Sequence, residues 1–261
     1  MAPIDLAELP PTLAEHVSPR APLTFPPQGK TSDVAFADDG GRLVVVKRCA
    51  HPIYLGWLRR EHAALRALAA SGLPVPRLIA YAETEMRGQP VGWLLMSRLP
   101  GSPFLRAAIE AQPPQRTAMF RRLGELVRRL HATPAPPELL HAGSWISRQI
   151  ERARGNLAWC DGTAAGLAEL ERSRPVAVRE ALIHGDLALD NVLIDGRGEL
   201  HLIDWADGGL GDPRHDVALA LQTKPELELS GEAHDAFFAG YGTAPLDEAT
   251  RDWFVRLYDF F

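Results

Sequence analysis

Apolar residues along this chain fall either into short runs or into spaced stripes, and where one gives way to the other marks its predicted elements. A short run at Leu23, then Val34-Ala35-Phe36-Ala37, then Leu43-Val44-Val45-Val46 are separated by a polar loop, Gln28-Gly29-Lys30-Thr31-Ser32-Asp33, and a turn, Asp38-Asp39-Gly40-Gly41. This predicts three antiparallel strands. Over residues 52–70 the spacing becomes helical, with Tyr54, Leu58, Leu65 and Leu68 on one stripe. Gly72-Leu73-Pro74-Val75-Pro76 ends that helix, because glycine takes the cap and proline cannot continue. Two more strands are predicted over 77–82 and 91–99, joined by a turn at Arg87-Gly88. Helical spacing then returns over 114–132, where Met119, Leu123, Leu126, Val127 and Leu130 share a face, and over 141–158 and 162–172. Two short strands around Val192-Leu193-Ile194 and Leu200 to Ile203 interrupt the helices. Helices resume over 213–221, capped by Asp212, and over 231–239 and 247–261. Residues 1–20 carry several prolines and little periodicity, so a mobile or loosely docked arm is expected there. The order predicts an α+β fold in two lobes: a small antiparallel sheet with one helix over 1–99, then a mainly helical lobe over 100–261.

Composition narrows the setting. With 261 residues, 46% of them apolar and 23% charged, the chain can build a substantial core. A net charge of −5 gives no footprint for nucleic acid, and the arginines on 114–132 read as a solvated helix face. No apolar stretch is long enough for a membrane span, and Asp5, Glu8 and Glu15 argue against a secretory signal. Two cysteines, Cys49 and Cys160, supply neither a disulfide framework nor a zinc spacing, so a reduced, cytoplasmic setting is expected. The pattern suits a monomer or a dimer equally.

The chemistry concentrates in residues 181–216, ALIHGDLALDNVLIDGRGELHLIDWADGGLGDPRHD. The strands there form a hairpin around Asp195-Gly196, so Asn191 and Asp204 are expected at one end of the pair. One neutral and one charged oxygen ligand suit a magnesium ion that also takes oxygens from a nucleotide. Asp186 lies in the loop just ahead, where it can face an acceptor hydroxyl. A second constellation lies upstream. Lys47 follows three valines on a strand that should be buried, where an unpaired ammonium is costly. Glu61 falls on the inward stripe of the following helix, between Leu58 and Leu65, and is the expected partner. Gly29-Lys30-Thr31 does not complete a Walker motif, since position 24 is Thr.

The order His-Gly-Asp-Leu, Asn, a hairpin, then Ile203-Asp204-Trp205 and Gly211-Asp212-Pro213 resembles the aminoglycoside phosphotransferase and choline kinase-like family, which has a protein-kinase-like fold. The segment from Gln149 to Arg154 and the final residues, FFAGYGTAPLDEATRDWFVRLYDFF, resemble aminoglycoside 3′-phosphotransferases in particular. The resemblance implies a kinase using ATP, with GTP possible, and Mg²⁺. Asp186 would accept or orient the acceptor's proton, Asn191 and Asp204 would hold magnesium, and Lys47, oriented by Glu61, would bind phosphates. Thr31 and Ser32 would belong to the loop over the phosphates, and Met96, Ser97 and Leu99 to the hinge that offers backbone groups to adenine. Asp259 and the carboxylate of Phe261 match the acids that hold the substrate's ammonium groups. Where 3′-enzymes usually carry an arginine, this chain has Asp207, which adds negative charge. The expected acceptor is therefore a small cationic molecule, an aminoglycoside first, with a metabolic kinase for choline, homoserine or a sugar, a macrolide kinase, or a nucleotide-binding pseudokinase as alternatives. No Ala-Pro-Glu segment follows Asp204, which argues against a protein kinase.

Overall fold

A computed structural model describes residues 3–26, 31–86 and 88–261. The chain divides into two units: Met1–Pro100 with Leu202–Asp207, and Gly101–His201 with Gly208–Phe261. A split by sequence order near residue 100 does not express this, because the segment carrying Asp204 joins the first unit.

In the first unit, a 3-10 turn at Leu6–Glu8 and the short α1 (Pro11–Ala14) precede β1 (Leu23–Thr24), β2 (Asp33–Asp39), β3 (Arg42–Cys49), α2 (Pro52–Ala67), β4 (Leu78–Met86) and β5 (Gln89–Ser97). The strands form one antiparallel sheet in the order β1-β2-β3-β5-β4. Gly40 and Gly41, both at positive φ, make the tight turn between β2 and β3 and so set the register that places Lys47 opposite Val34. Strand alternation sends Val44 and Val46 to one face of the sheet and Val45 and Lys47 to the other. α2 packs close to the strands at Gly92, where an added Cβ would meet Leu55 and Leu58 at 2.5 and 2.9 Å.

From residue 3 the amino-terminal arm is packed onto the sheet, where the sequence suggested a mobile or loosely docked segment. Ile4, Leu6, Leu9, Leu13 and Val17 are buried in one cluster with Ala35, Ala37, Val44, Val46, Val91, Trp93 and Leu95. The physical reason lies in β3 and β5, whose runs are apolar on both faces and so need a cover on each. Glu8 fastens the arm further, accepting from buried Arg48 at 3.0 Å while Asp33 holds the same guanidinium at 2.8 Å.

The second unit begins with β6 (Ser102–Pro103) and α3 (Phe104–Glu110), a helix the periodicity did not reveal, then α4 (Pro113–Ala132), α5 (Trp145–Asn156) and α6 (Ala164–Arg172). It continues through β7 (Ala181–Ile183), β8 (Val192–Ile194), β9 (Leu200–Leu202), β10 (Gly209–Gly211), α7 (Pro213–Ala220), α8 (Gly231–Tyr241) and α9 (Glu248–Tyr258). α4 and α8 cross almost in backbone contact. A Cβ on Gly124 would lie 2.0 Å from the Phe237 carbonyl oxygen, and one on Gly240 would lie 2.1 Å from that of Arg121. A core of Trp145, Ile150, Leu167, Ile183, Trp253, Phe254, Leu257 and Phe260 joins α5, α6, β7 and α9. β7 pairs antiparallel with β10, which brings the start of the loop bearing Asp186 beside the segment leading into α7.

Candidate active site

In the first unit, Lys47 and Glu61 are 8% and 4% exposed, so neither charge could persist there without the other. The expected pair forms: Lys47 Nζ lies 2.7 and 2.8 Å from the two carboxylate oxygens of Glu61. It also donates to Asp204 Oδ1. Burial alone would depress the lysine's pKa, but the Asp204 and Glu61 carboxylates outweigh it and hold the ammonium above the ordinary lysine range.

Asp204 is the one non-glycine residue with positive φ among the described residues, at 63°. Aspartate tolerates this left-handed conformation better than most residues. The surrounding backbone is tied down on both sides: Leu202 N donates to Pro74 O at 2.9 Å, buried Trp205 donates through Nε1 to Leu202 O at 3.2 Å, and Arg60 Nε donates to Ala206 O at 2.9 Å. Arg60 also reaches Asp207 Oδ1 at 3.4 Å. Asp207, read as an open acid, thus shares its charge with a cation of α2.

Thr31 and Ser32 are half-buried, and the Thr31 carbonyl accepts from Cys49 Sγ at 3.5 Å. Gln28, Gly29 and Lys30 of the same predicted loop lie outside the described residues. Met96 is buried and its backbone lies in the ladder opposite Val45. Ser97 is committed twice to Arg77, through its N–H at 2.9 Å and its Oγ at 2.8 Å. Leu99 follows the strand, outside the ladder.

In the second unit the loop around Asp186 is fixed from below. Asp216, fully buried on α7, accepts from His184 N at 2.7 Å and Gly185 N at 2.9 Å. Gly185 has φ 81°, which favours glycine there. His131 Nε2 lies 3.1 Å from Asp216 Oδ2, and its Nδ1 lies 2.8 Å from the Tyr241 hydroxyl. Burial pushes the Asp216 carboxyl up, yet His131, His184 and the backbone donor of His184 together hold it below the ordinary aspartate value.

Asp186 itself is gripped at both oxygens. Asn191 Nδ2 donates to Asp186 O at 2.9 Å and to Oδ2 at 2.8 Å. Turning that amide round would set its oxygen against two acceptors, so the network fixes Asn191 Oδ1 as the outward end. Tyr258, the last residue of α9, donates its hydroxyl to Asp186 Oδ1 at 2.7 Å. An oriented carboxylate, an oriented amide oxygen and a clamped loop are what a phosphoryl-transfer loop requires.

Comparison with known proteins identifies the family. The model of the phosphotransferase enzyme family, APH, matches residues 23–254. The chain belongs to that family. This phosphotransferase is 30% identical over 227 residues to the aminoglycoside 3′-phosphotransferase of Streptomyces fradiae, covering 78% of this chain and 80% of that one. It is 32% identical over 173 residues to a homoserine kinase of Pseudomonas aeruginosa, covering 60% of this chain and 50% of the kinase. Among solved structures, the GDP and kanamycin complex of APH(2″)-IIia superposes with a TM-score of 0.66 at 16% identity, covering 93% and 85% of the two chains. That likeness establishes the protein-kinase-like fold. The chain is an enzyme that phosphorylates hydroxyl groups, and no helix among the described residues is long and apolar enough to cross a membrane.

Towards the end of the phosphotransferase chain, Asp259 is exposed and its backbone oxygen accepts from Gly162 N at 3.1 Å, which draws Asp161 near it. Partial desolvation by neighbouring atoms, and then the Asp161 charge, raise the carboxyl of this surface aspartate above its ordinary value, against a smaller opposing effect of Arg256. The other acids of this region are spent on the protein's own cations: Glu169 pairs with Arg256 at 2.7 Å, and Glu171 pairs with Arg154. The Phe261 ring lies under the Arg152 guanidinium, 4.5 Å from it. Contacts not assigned from sequence are those of Arg60 with Ala206 and Asp207 in the first unit, and the His131–Tyr241 pair and the Tyr258 hydroxyl in the second.

Proposed function

We propose that this phosphotransferase moves the γ-phosphoryl group of ATP, taken as its magnesium complex, to a hydroxyl of a small cationic acceptor, an aminoglycoside. The observation that carries the reading is the double donation of Asn191 Nδ2 to Asp186. It holds the Asp186 carboxylate for an incoming hydroxyl and turns the Asn191 amide oxygen outward as a metal ligand. Asp204 is the second ligand in this reading. A magnesium ion keeps few protein ligands and takes its other oxygens from phosphates and water. When bound, magnesium neutralises charge on the phosphate oxygens.

Asp186 then receives or orients the acceptor's proton as the new O–P bond forms, and the bond to the leaving ADP oxygen breaks. Lys47 binds phosphate oxygens and Glu61 positions it, while Thr31 and Ser32 stand in the loop over the phosphates. Of the hinge residues, Leu99 is the best placed to offer its N–H to a base edge, since the Ser97 N–H is committed to Arg77. The same backbone contacts would admit GTP.

For the acceptor, Asp161 and Asp259 support an ammonium site: a cation beside two neighbouring carboxylates relieves their mutual repulsion. The Phe261 carboxylate is assigned to the same site, and Asp207, shared with Arg60, contributes less. The named activity of the Streptomyces fradiae relative supports an aminoglycoside. The test is ADP release with MgATP or MgGTP across kanamycin, neomycin, choline, homoserine, glucose and a macrolide. Release stimulated by an aminoglycoside, with KM raised by Asp259→Asn, is the expected result. Stimulation by homoserine, glucose or the macrolide alone would replace the acceptor assignment.

A further inference from the structure

The acceptor's hydroxyl has to reach Asp186 as a hydrogen-bond donor, at about 2.6–3.2 Å from a carboxylate oxygen. Both oxygens already receive a donor from the protein. Asn191 Nδ2 takes Oδ2 and is anchored by its second bond to the Asp186 carbonyl, so it is the fixed partner. Tyr258 takes Oδ1, and it does so with a hydroxyl, at 2.7 Å, in the relation the substrate hydroxyl must adopt. Its ring lies beside that of His215, with centroids 6.5 Å apart, and His215 Nε2 in turn lies 3.1 Å from the Gly185 carbonyl.

We propose that the Tyr258 hydroxyl is a placeholder for the acceptor hydroxyl, capping Asp186 so that water cannot use it and yielding Oδ1 when the acceptor binds. This rests on Asp186 being the group that receives the acceptor's proton. The physical basis is a competition between donors. A phenol is more acidic than water or an aliphatic alcohol and so is the better donor to a carboxylate. A water molecule brings nothing else with which to displace it. A polycationic acceptor gains ionic contacts away from the reacting hydroxyl, and that binding energy offsets the loss of the Tyr258 bond. The cap thus favours transfer to the acceptor over wasteful hydrolysis of the nucleotide, a selectivity that Asp186 and Asn191 alone do not supply.

The main experiment uses the full chain, MgATP and water, and a separate control adds kanamycin as the acceptor. ADP release without acceptor is measured for the wild type, Tyr258→Phe, Asp186→Asn and the double variant. Melting temperature and nucleotide affinity are measured alongside. Tyr258→Phe keeps the ring and removes the cap, so acceptor-independent hydrolysis should rise by about tenfold, the size of one hydrogen bond to a charged group. Nucleotide affinity should stay unchanged, because Tyr258 contacts Asp186 and not the residues assigned to the nucleotide. Because the gain passes through Asp186, the double variant should fall to the level of Asp186→Asn. Hydrolysis by folded Tyr258→Phe at or below the wild-type rate overturns the proposal, as does a gain that persists in the double variant. Failure of the underlying reading shows separately, as an Asp186→Asn enzyme whose acceptor-stimulated ADP release matches the wild type.

Discussion

Replacing Glu61 by alanine separates two contributions that the Lys47 pair makes at once. The lysine is buried, with both oxygens of Glu61 within 2.8 Å of its ammonium, so the variant leaves a desolvated cation that has lost two of its acceptors. Removing one partner of a buried pair costs about 3–5 kcal/mol. Lys47 keeps its contact with Asp204, whose side chain is 45% exposed and can follow it, so the lower end of that range is expected. For a chain of this length about 3 kcal/mol corresponds to a fall in Tm of about 6–12 °C. The assay is thermal and urea unfolding of the wild type, Glu61→Ala and the double variant Lys47→Met with Glu61→Leu. The double variant replaces the pair with apolar groups of similar size and should regain most of the lost stability, since such exchanges are often neutral. It should nevertheless be inactive, because no ammonium remains to meet the nucleotide. A Glu61→Ala protein that melts with the wild type would refute the reasoning, since it would mean that the Lys47 charge is not held in a desolvated site by Glu61. A double variant that stays as unstable as the single one would show that packing, not the unpaired charge, accounts for the loss.

Other outcomes follow from the same geometry. Asp186→Asn should lower kcat by about 10²–10⁴-fold, the usual weight of a general base, with Tm and nucleotide KM unchanged; steady-state kinetics on the purified variant checks this. Asp204→Ala should abolish turnover and weaken nucleotide binding in the presence of magnesium more than in its absence, as read by calorimetric titration, because Asn191 is a neutral ligand and cannot replace the lost charge. Gly124→Ala should destabilise the second unit by about 1–3 kcal/mol or more in urea unfolding, since the new methyl would meet the Phe237 carbonyl at 2.0 Å. Asp216, depressed below its ordinary value of 3.8, contributes stability that is present above that value and lost as pH falls through its lower folded value. Asp216→Asn should therefore be less stable at pH 7 and lose less further stability on acidification below about pH 4, measured by urea unfolding across pH.

How much of this was legible in the chain depended on the range of the interactions. Lys47 and Glu61 could be paired because each was anomalous in its own local pattern, a cation after three valines and an acid on an apolar stripe. The Asp186 and Asn191 spacing was legible because both sit in one short loop, and their contact is local. The helix that carries Asp216 was legible because Asp212 caps it and Pro213 opens it. The arm could not be read, since its apolar residues follow no single period and their burial answers a need created by β3 and β5. The pairing of β7 with β10 escaped notice because each strand has three residues and two of those in β10 are glycine. Asp207 looked open for want of any sequence sign that Arg60 of α2 would reach it. The contact between Tyr258 and Asp186 joins residues 72 positions apart and is visible only once α9 is packed.

The central claim, phosphoryl transfer through Asp186 to a cationic acceptor, is tested most directly by mass spectrometry of the acceptor after incubation with MgATP and the purified protein. An aminoglycoside carrying one added phosphoryl group, formed by the wild type and not by Asp186→Asn, is the result the geometry predicts. ATP consumed with the aminoglycosides unchanged, while glucose, homoserine or a macrolide carries the phosphoryl group, would contradict it.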